Sequence, residues 1–141
     1  YARNILKGSA IDLGYARDPH RVVWIGQETG ELVGLTFRPD QQVTGWHRHP
    51  LHNGVVENFA VIPSADASVS ETWMIVRRTI GGETRRYVEV MQPFFQPRDL
   101  DAPTAMGAWF VDSGLSYEGP EVTRVTGADH LKGQEVAVQT R

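Results

Sequence analysis

The chain contains no cysteine among its 141 residues. This absence excludes disulfide scaffolds and metal sites built from thiolates. No run of about 18 apolar residues occurs, so the sequence predicts no membrane-spanning helix and no membrane partner. The formal net charge is −3, and this charge gives no overall basic field for binding nucleic acid. Together, these absences favour a globular domain that depends on an ordinary apolar core.

Helical periodicity is almost absent, and the 14 glycines and eight prolines provide many turns. The apolar runs are four to eight residues long, rich in β-branched and aromatic residues, and bounded by Gly, Pro, Asn or Asp. Such runs are typical of strands. The sequence therefore predicts an all-β, antiparallel fold of meanders and hairpins, with strands at Val22–Ile25, Leu32–Phe37, Val43–His47, Thr72–Thr79 and Thr84–Met91. The pair Gly81-Gly82 predicts a tight hairpin turn, because both positions tolerate a positive φ.

Two stretches resemble one β-rich unit written twice, at residues 10–42 and 57–92. Each has an extended segment, a turn, a strand that bears a tryptophan, a glycine turn and a further strand. A repeat of roughly 40–50 residues with four short strands is typical of a β-propeller blade. The predicted structural anchors of these units and of the region after them are the four tryptophans, Trp24, Trp46, Trp73 and Trp109.

The repeats divide the chain into a propeller-like part, residues 1–107, and a small β module, residues 108–141. Two blades cannot close a ring, so we expect either a sandwich of the two units or a longer chain that completes the ring. Strands are predicted in the second part at Ala108–Tyr117, Val122–Thr126 and Gln134–Gln139. Because the chain starts without Met and ends on a strand, we expect an internal portion of a longer polypeptide, or a partner at that strand.

Three histidines are the only clustered residues of the ligand type: His47, His49 and His52. The first two share one face of a predicted strand at spacing i, i+2, which can offer two imidazoles to one metal. No carboxylate lies within the motif. We therefore predict no metal site, and keep a metal-dependent hydrolase built on this cluster as the weakest alternative.

Four arginines lie on the two arms of the Gly81-Gly82 hairpin: Arg77, Arg78, Arg85 and Arg86. Because neighbours in a strand alternate between faces, each face should carry about two guanidinium groups. One hypothesis is contact with DNA phosphates. The other is pairing with Glu83, Glu89 or a neighbouring subunit. The net acidity of the chain favours the second.

Three carboxylates allow a further enzymatic interpretation. Asp112, Glu118 and Glu121 could supply the pair of acids used by a glycosidase. However, Glu118 and Glu121 flank Gly119-Pro120, and turn residues of this kind are usually solvated. We therefore predict no catalytic residue here.

Several motifs, taken in order from about Val22 onward, resemble the nozzle proteins of tailed phages, the tail tubular protein B type of short-tailed phages and related prophage tail proteins. They are WIGQETGELVGLTF, GWHRHPL, GVVENFAVIP, VRRTIGGETRRYVE, VDSGLSYEG and TGADHLKGQEVAV. The long connection PFFQPRDLDAPTAMG departs from that pattern.

The resemblance implies a structural protein of the virion, made in the cytoplasm of a bacterial host, without catalysis or cofactor. It implies a homo-oligomeric ring in the tail that contacts other tail proteins. DNA would pass through such a ring without specific binding. The alternative is a carbohydrate- or receptor-binding module of a tail tip that uses the long 93–107 loop as its contact surface.

Overall fold

A computed structural model describes residues 2–94, 112–115 and 117–138. Within these residues, seven strands, β1 to β7, form between residues 10 and 90, and short 3₁₀ turns lie at Pro39–Gln41 and Asp129–Leu131. The strands are, in chain order, Ala10–Ala16, Val22–Gln27, Leu32–Arg38, Val43–His49, Gly54–Pro63, Ser70–Ile80 and Glu83–Val90.

The strands form two antiparallel sheets. Sheet A has the order β1-β2-β3-β4, and sheet B has the order β5-β6-β7. The predicted all-β class, built from antiparallel meanders and hairpins, is therefore confirmed. Each repeat contributes a three-stranded meander, and β4 extends the first meander to four strands.

The hairpin between β6 and β7 is the turn that the sequence predicts. Ile80 pairs with Glu83, and the two residues between them, Gly81 and Gly82, have φ values of 60° and 84°. Two consecutive positive φ angles match a turn whose twist suits the strands on either side. The turn sets the register of β7, and thereby the face on which each arginine lies.

The apolar core lies between the two sheets. From sheet A it takes Trp24 and Leu32, and from sheet B it takes Phe59 and Met74, among others. The Phe59 ring lies against a part of sheet A that has no side chains, because a Cβ on Gly14 would come within 2.8 Å of Phe59 Cε2. Gly26 lies under the opposite edge of the same ring. The two sheets therefore approach each other where the glycines leave room.

The four predicted tryptophan anchors do not share one role. Trp24 is 3 % exposed and belongs to the core, whereas Trp73 and Trp46 are half-buried. In β6 the buried positions are Thr72, Met74, Val76 and Arg78, so Trp73 lies on the outer face of sheet B. Trp73, a predicted anchor of the second repeat, is therefore not a core residue as Trp24 is, because its register places Met74 inward. Trp109 lies outside the described residues.

The predicted small β module is not a module of strands in the part that the structure describes. Residues 112–115 and 117–138 contain turns, irregular backbone and the 3₁₀ turn Asp129–Leu131. The strands predicted at Val122–Thr126 and over residues 134–138 do not form. A strand needs a neighbouring ladder for its backbone groups, and none of the seven strands pairs with these residues. Most of the predicted 93–107 loop lies outside the described residues.

Candidate functional site

The four hairpin arginines divide equally between the two faces of sheet B, as the alternation predicts. Arg77 pairs in register with Arg86, and Arg78 pairs with Arg85. Because Arg78 lies on the buried face with Val76, Arg77 and Arg86 lie on the outer face. Each of the four forms an ion pair with a carboxylate.

The two outer arginines share one carboxylate. Arg86 Nε donates to Glu57 Oε2 at 2.6 Å, and Arg77 Nε donates to Glu57 Oε1 at 2.9 Å. Glu57 reaches them from the irregularity in register between Val56 and Asn58 of β5. The hydrogen bond from Arg86 lowers the pKa of Glu57, with Arg77 adding to the effect. Sequence reasoning missed Glu57, because its contact with the hairpin depends on which strand lies beside β6.

Arg78 is the buried member of the group, with 4 % of its side chain exposed. Its Nε and Nη2 donate to the two carboxylate oxygens of Glu89 at 2.6 and 2.7 Å. Its Nη1 and Nη2 donate to the two oxygens of Asp112 at 2.9 and 2.6 Å, and Nη1 also donates to the carbonyl oxygen of His52. The two bidentate carboxylates and the His52 carbonyl thus take up all five N–H groups of the guanidinium.

Asp112 gains its role from this contact and not from an acid pair. It accepts a hydrogen bond from the backbone N–H of His52 at 2.8 Å in addition to those from Arg78. Burial acts to raise the pKa of Asp112, but the hydrogen bonds from Arg78 and His52 outweigh burial and lower it. Hydrogen bonds to Glu89, and then to Asp112, raise the pKa of Arg78 above its ordinary value. Asp112 and Arg78 are thus both charged at neutral pH, and their contact ties residues after the 95–111 segment to sheet B.

His47 and His49 lie on one face of β4, as their spacing predicts. His47 Nδ1 lies 2.6 Å from His49 Nε2, and His47 Nε2 lies 3.1 Å from Thr36 Oγ1. Trp24 meets both rings edge-on, at centroid distances of 5.6 and 4.9 Å. Burial, and then the nearby His47, lower the pKa of His49 to about 4, and burial also lowers the pKa of His47. Both imidazoles are therefore neutral at pH 7.

His52 does not join the histidine pair. Its side chain is exposed, and its backbone N–H is directed to Asp112. Over residues 2–94, 112–115 and 117–138, no three His, Cys, Asp or Glu side chains come together in a way that could hold a metal ion. The pair His47–His49 instead forms a hydrogen-bonded chain with Thr36.

A cleft of about 310 Å³ opens between the β1–β2 connection and sheet B. Aromatic residues lie at several points of its wall, including Trp24, Trp73 and Phe94, with Met91 beside them. His20 also lines it, and its ring lies 5.3 Å from the Phe94 ring. The cleft is mostly apolar, with Asp18 and Glu71 on its wall.

Glu118 and Glu121, the other two carboxylates considered for a glycosidase pair, are both exposed. Asp112 is committed to Arg78 and to the His52 backbone. The structure therefore gives Asp112 a structural contact, and gives Glu118 and Glu121 the solvated positions expected of turn residues.

No family model matches the chain, and no curated protein matches it either. Among the described residues, no helix is long and apolar enough to cross a membrane. The fold defines the class of protein as a two-sheet antiparallel β-sandwich.

Proposed function

We propose that the chain is a structural subunit of a phage tail, a nozzle or tail-tube component that associates with further copies around a conduit for DNA. The observation that carries the proposal is the exposure of large apolar side chains on both outer faces, which on sheet B lie on the same face as the ion pairs of Arg77 and Arg86 with Glu57. The outer face of sheet A exposes Leu13, Tyr15 and Phe37, and that of sheet B exposes Ile62, Ile75 and Val88. In β1 the larger apolar residues point outward, and the smaller ones, Gly14 and Ala16, point inward.

A sheet that is apolar on both faces is typical of a layer covered on both sides. A subunit within an assembly satisfies this requirement, because its neighbours cover what the isolated chain exposes. The residues that resemble phage nozzle proteins also support a structural role. GWHRHPL forms most of β4 and the residues that follow it, and VRRTIGGETRRYVE forms the ion-paired hairpin.

The proposal is tested by locating the protein in tailed particles. Particles from cells that carry the gene would be purified, and an antibody against the chain would be used for gold labelling in electron microscopy. We expect gold on the tail below the capsid, with particles from a strain that lacks the gene as the control. Particles that have complete tails, and in which mass spectrometry finds no peptide of this chain, would contradict the proposal.

The cleft favours a second candidate, a module that binds carbohydrate or a receptor at a tail tip. Aromatic rings in a concave site can stack on the apolar face of a sugar. Phe94 lines the cleft and is 41 % exposed, so Phe94→Ala should abolish glycan binding without unfolding the protein. A glycan array with wild type and this variant tests the candidate, and equal signals from both would reject the cleft as the site.

A further inference from the structure

The segment that follows Asp112 exposes more large apolar side chains than the surface of a monomeric protein usually does. Six of them, spread over residues 115–138, are about half exposed or more: Leu115, Tyr117, Val122, Val125, Val136 and Val138. Val136 and Val138 are 56 % and 81 % exposed. A concentration of this kind in one stretch indicates a surface for a partner.

Residues 134–138 combine this exposure with the sequence pattern of a strand. The run Gln-Glu-Val-Ala-Val alternates, so an extended conformation would place Val136 and Val138 on one face. Valine has a high preference for strands. These residues have irregular backbone in the structure and pair with none of the seven strands. The segment therefore has the composition of a strand but no ladder in its own chain.

The start of this segment is held within its own turn, where the backbone N–H of Gln134 donates to the carbonyl of Leu131 at 2.9 Å. Its contact beside sheet B is weaker: Gln134 Oε1 accepts a hydrogen bond of 3.4 Å from Asn53 Nδ2, which is long for such a contact. The preceding residue, Gly133, has a φ of 79° and open space around its Cα. A glycine in this conformation can absorb a change in chain direction at little steric cost. Residues 134–138 can therefore change direction without disturbing sheet B.

Strand β4 offers the best place for an added strand. It forms one edge of sheet A. The strand at the other edge of that sheet, β1, lies close to β5. In sheet B, the edge strand β7 lies beside the C-terminal segment, because the Tyr87 ring contacts the His130 ring. β4 contains Arg48, which is paired with Glu31, and no acidic residue. Glu135 is the only charged residue in the segment 134–138, so an added strand would place no like charges opposite each other.

The outward hydrogen-bonding groups of β4 can be identified. The backbone N–H of Phe37 donates to the carbonyl of Arg21, on the β2 side of β3. Phe37 is paired with Thr44, so this pair exchanges no hydrogen bonds between β3 and β4. The N–H and C=O groups of Thr44, and by alternation those of Trp46 and Arg48, therefore point away from β3 to the open edge.

We infer that residues 134–138 of one copy add as a further strand to the open edge of β4 in a second copy. The inference rests on the proposed role as an assembly subunit and names the contact through which copies join. Main-chain hydrogen bonds would supply affinity, and the two valines would supply an apolar contact. Donor and acceptor are different surfaces, so the contact is heterologous and can generate a ring.

The first experiment blocks the acceptor edge. Thr44→Pro removes an outward N–H and no ladder bond to β3, and Thr44→Ala is the matched control that keeps the N–H. Sedimentation equilibrium of the full chain should show concentration-dependent association for wild type and Thr44→Ala. For Thr44→Pro we expect a dissociation constant raised about tenfold or more. Equal circular dichroism melts of the two variants would show that Thr44→Pro still folds.

The second experiment identifies the donor. The chain has no cysteine, so introduced thiols are unique. Thr44→Cys and Val136→Cys proteins, mixed and oxidised, should form a disulfide-linked heterodimer, whereas Ala65→Cys on an exposed turn should not replace Val136→Cys as partner. A wild-type chain that stays monomeric, or association unchanged by both Thr44→Pro and truncation after Gly133, would overturn the inference. Gold labelling of tails is independent of either outcome, so the two proposals fail separately.

Discussion

At the scale of single residues, Arg78 is the buried cation that neutralises two carboxylates. It is buried and holds Glu89 and Asp112 through two hydrogen bonds each. Removal of the guanidinium group leaves two partly buried carboxylates close together without a counter-charge. We expect Arg78→Ala to lower the free energy of unfolding by about 3–5 kcal/mol, the usual cost of breaking a buried pair. Denaturant unfolding followed by tryptophan fluorescence measures the change.

Arg85 provides the control for this prediction. It lies in register with Arg78, but its pair with Glu83 is exposed on both sides. Exposed pairs of this kind contribute little, so Arg85→Ala should leave the unfolding midpoint nearly unchanged. Equal losses in the two variants would show that burial of Arg78 does not determine its contribution.

His49 should make stability depend on pH. Burial and the neighbouring His47 lower its folded pKa from 6.5 to about 4. The unfolded chain therefore binds more protons than the folded chain between these values, and stability falls as pH is lowered through this window. We expect the melting temperature of wild type to decrease from pH 6.5 to pH 4, with the stabilising contribution of His49 complete above pH 6.5.

Because carboxylates also titrate in the lower part of this window, the test compares wild type with His49→Gln. The glutamine keeps polar groups near His47 but does not titrate. The melting temperature of His49→Gln should fall less steeply between pH 6.5 and pH 5 than that of wild type. Parallel curves over this range would show that His49 does not cause the dependence.

At the scale of strands, register decides which tryptophan belongs to the core. Trp24 and Trp73 occupy similar places in their repeats, yet Trp24 lies inside and Trp73 lies on an outer face, where its Nε1 donates to Glu71. We expect Trp24→Ala to cost about 3–5 kcal/mol, as for a large buried aromatic side chain. Trp73→Ala should cost clearly less. Thermal melts of the two variants measure the difference, and a reversed order would contradict the assigned register.

Two glycines in the strands of sheet A differ in how much space surrounds them. A Cβ at Gly14 would lie 2.8 Å from both Phe59 Cε2 and Val61 Cγ2, whereas a Cβ at Gly45 would meet nothing within 4 Å. We expect Gly14→Ala to destabilise the protein by about 1–3 kcal/mol, the cost of overpacking a core. Gly45→Ala, also within a strand of sheet A, should be neutral or slightly stabilising. Denaturant unfolding of the pair provides the comparison.

Local features of the fold could be predicted from the sequence. The turn at Gly81-Gly82 depends on two adjacent residues, and the shared face of His47 and His49 depends on strand alternation alone. Both predictions are confirmed. The direction of Trp73 could not be predicted in the same way, because all residues of the run from Trp73 to Val76 are apolar. An apolar run carries no alternation from which the inward face can be identified.

The contacts that could not be predicted from the sequence join distant parts of the chain. Arg78 and Asp112 are 34 positions apart, and no local pattern connects them. Glu57 reaches Arg77 and Arg86 only because β5 lies beside β6. The composition of residues 134–138 predicts a strand, but a strand also requires a neighbour, and the sequence does not show whether its own chain supplies one.

At the scale of the whole molecule, the sandwich has apolar side chains on both outer faces as well as in its core. Leu13 is 64 % exposed on the outer face of sheet A, in the end strand β1. Leu13→Lys should therefore leave the free energy of unfolding within about 0.5 kcal/mol of wild type, as surface substitutions usually do. If neighbouring subunits cover this face in a tail, the variant should fail to enter tails although it folds. Complementation of a gene-deletion strain, followed by mass spectrometry of purified particles, measures incorporation.

The control is Ala65→Lys, on an exposed turn, which should be incorporated normally. Normal incorporation of Leu13→Lys would show that the outer face of sheet A remains open to solvent in the assembly.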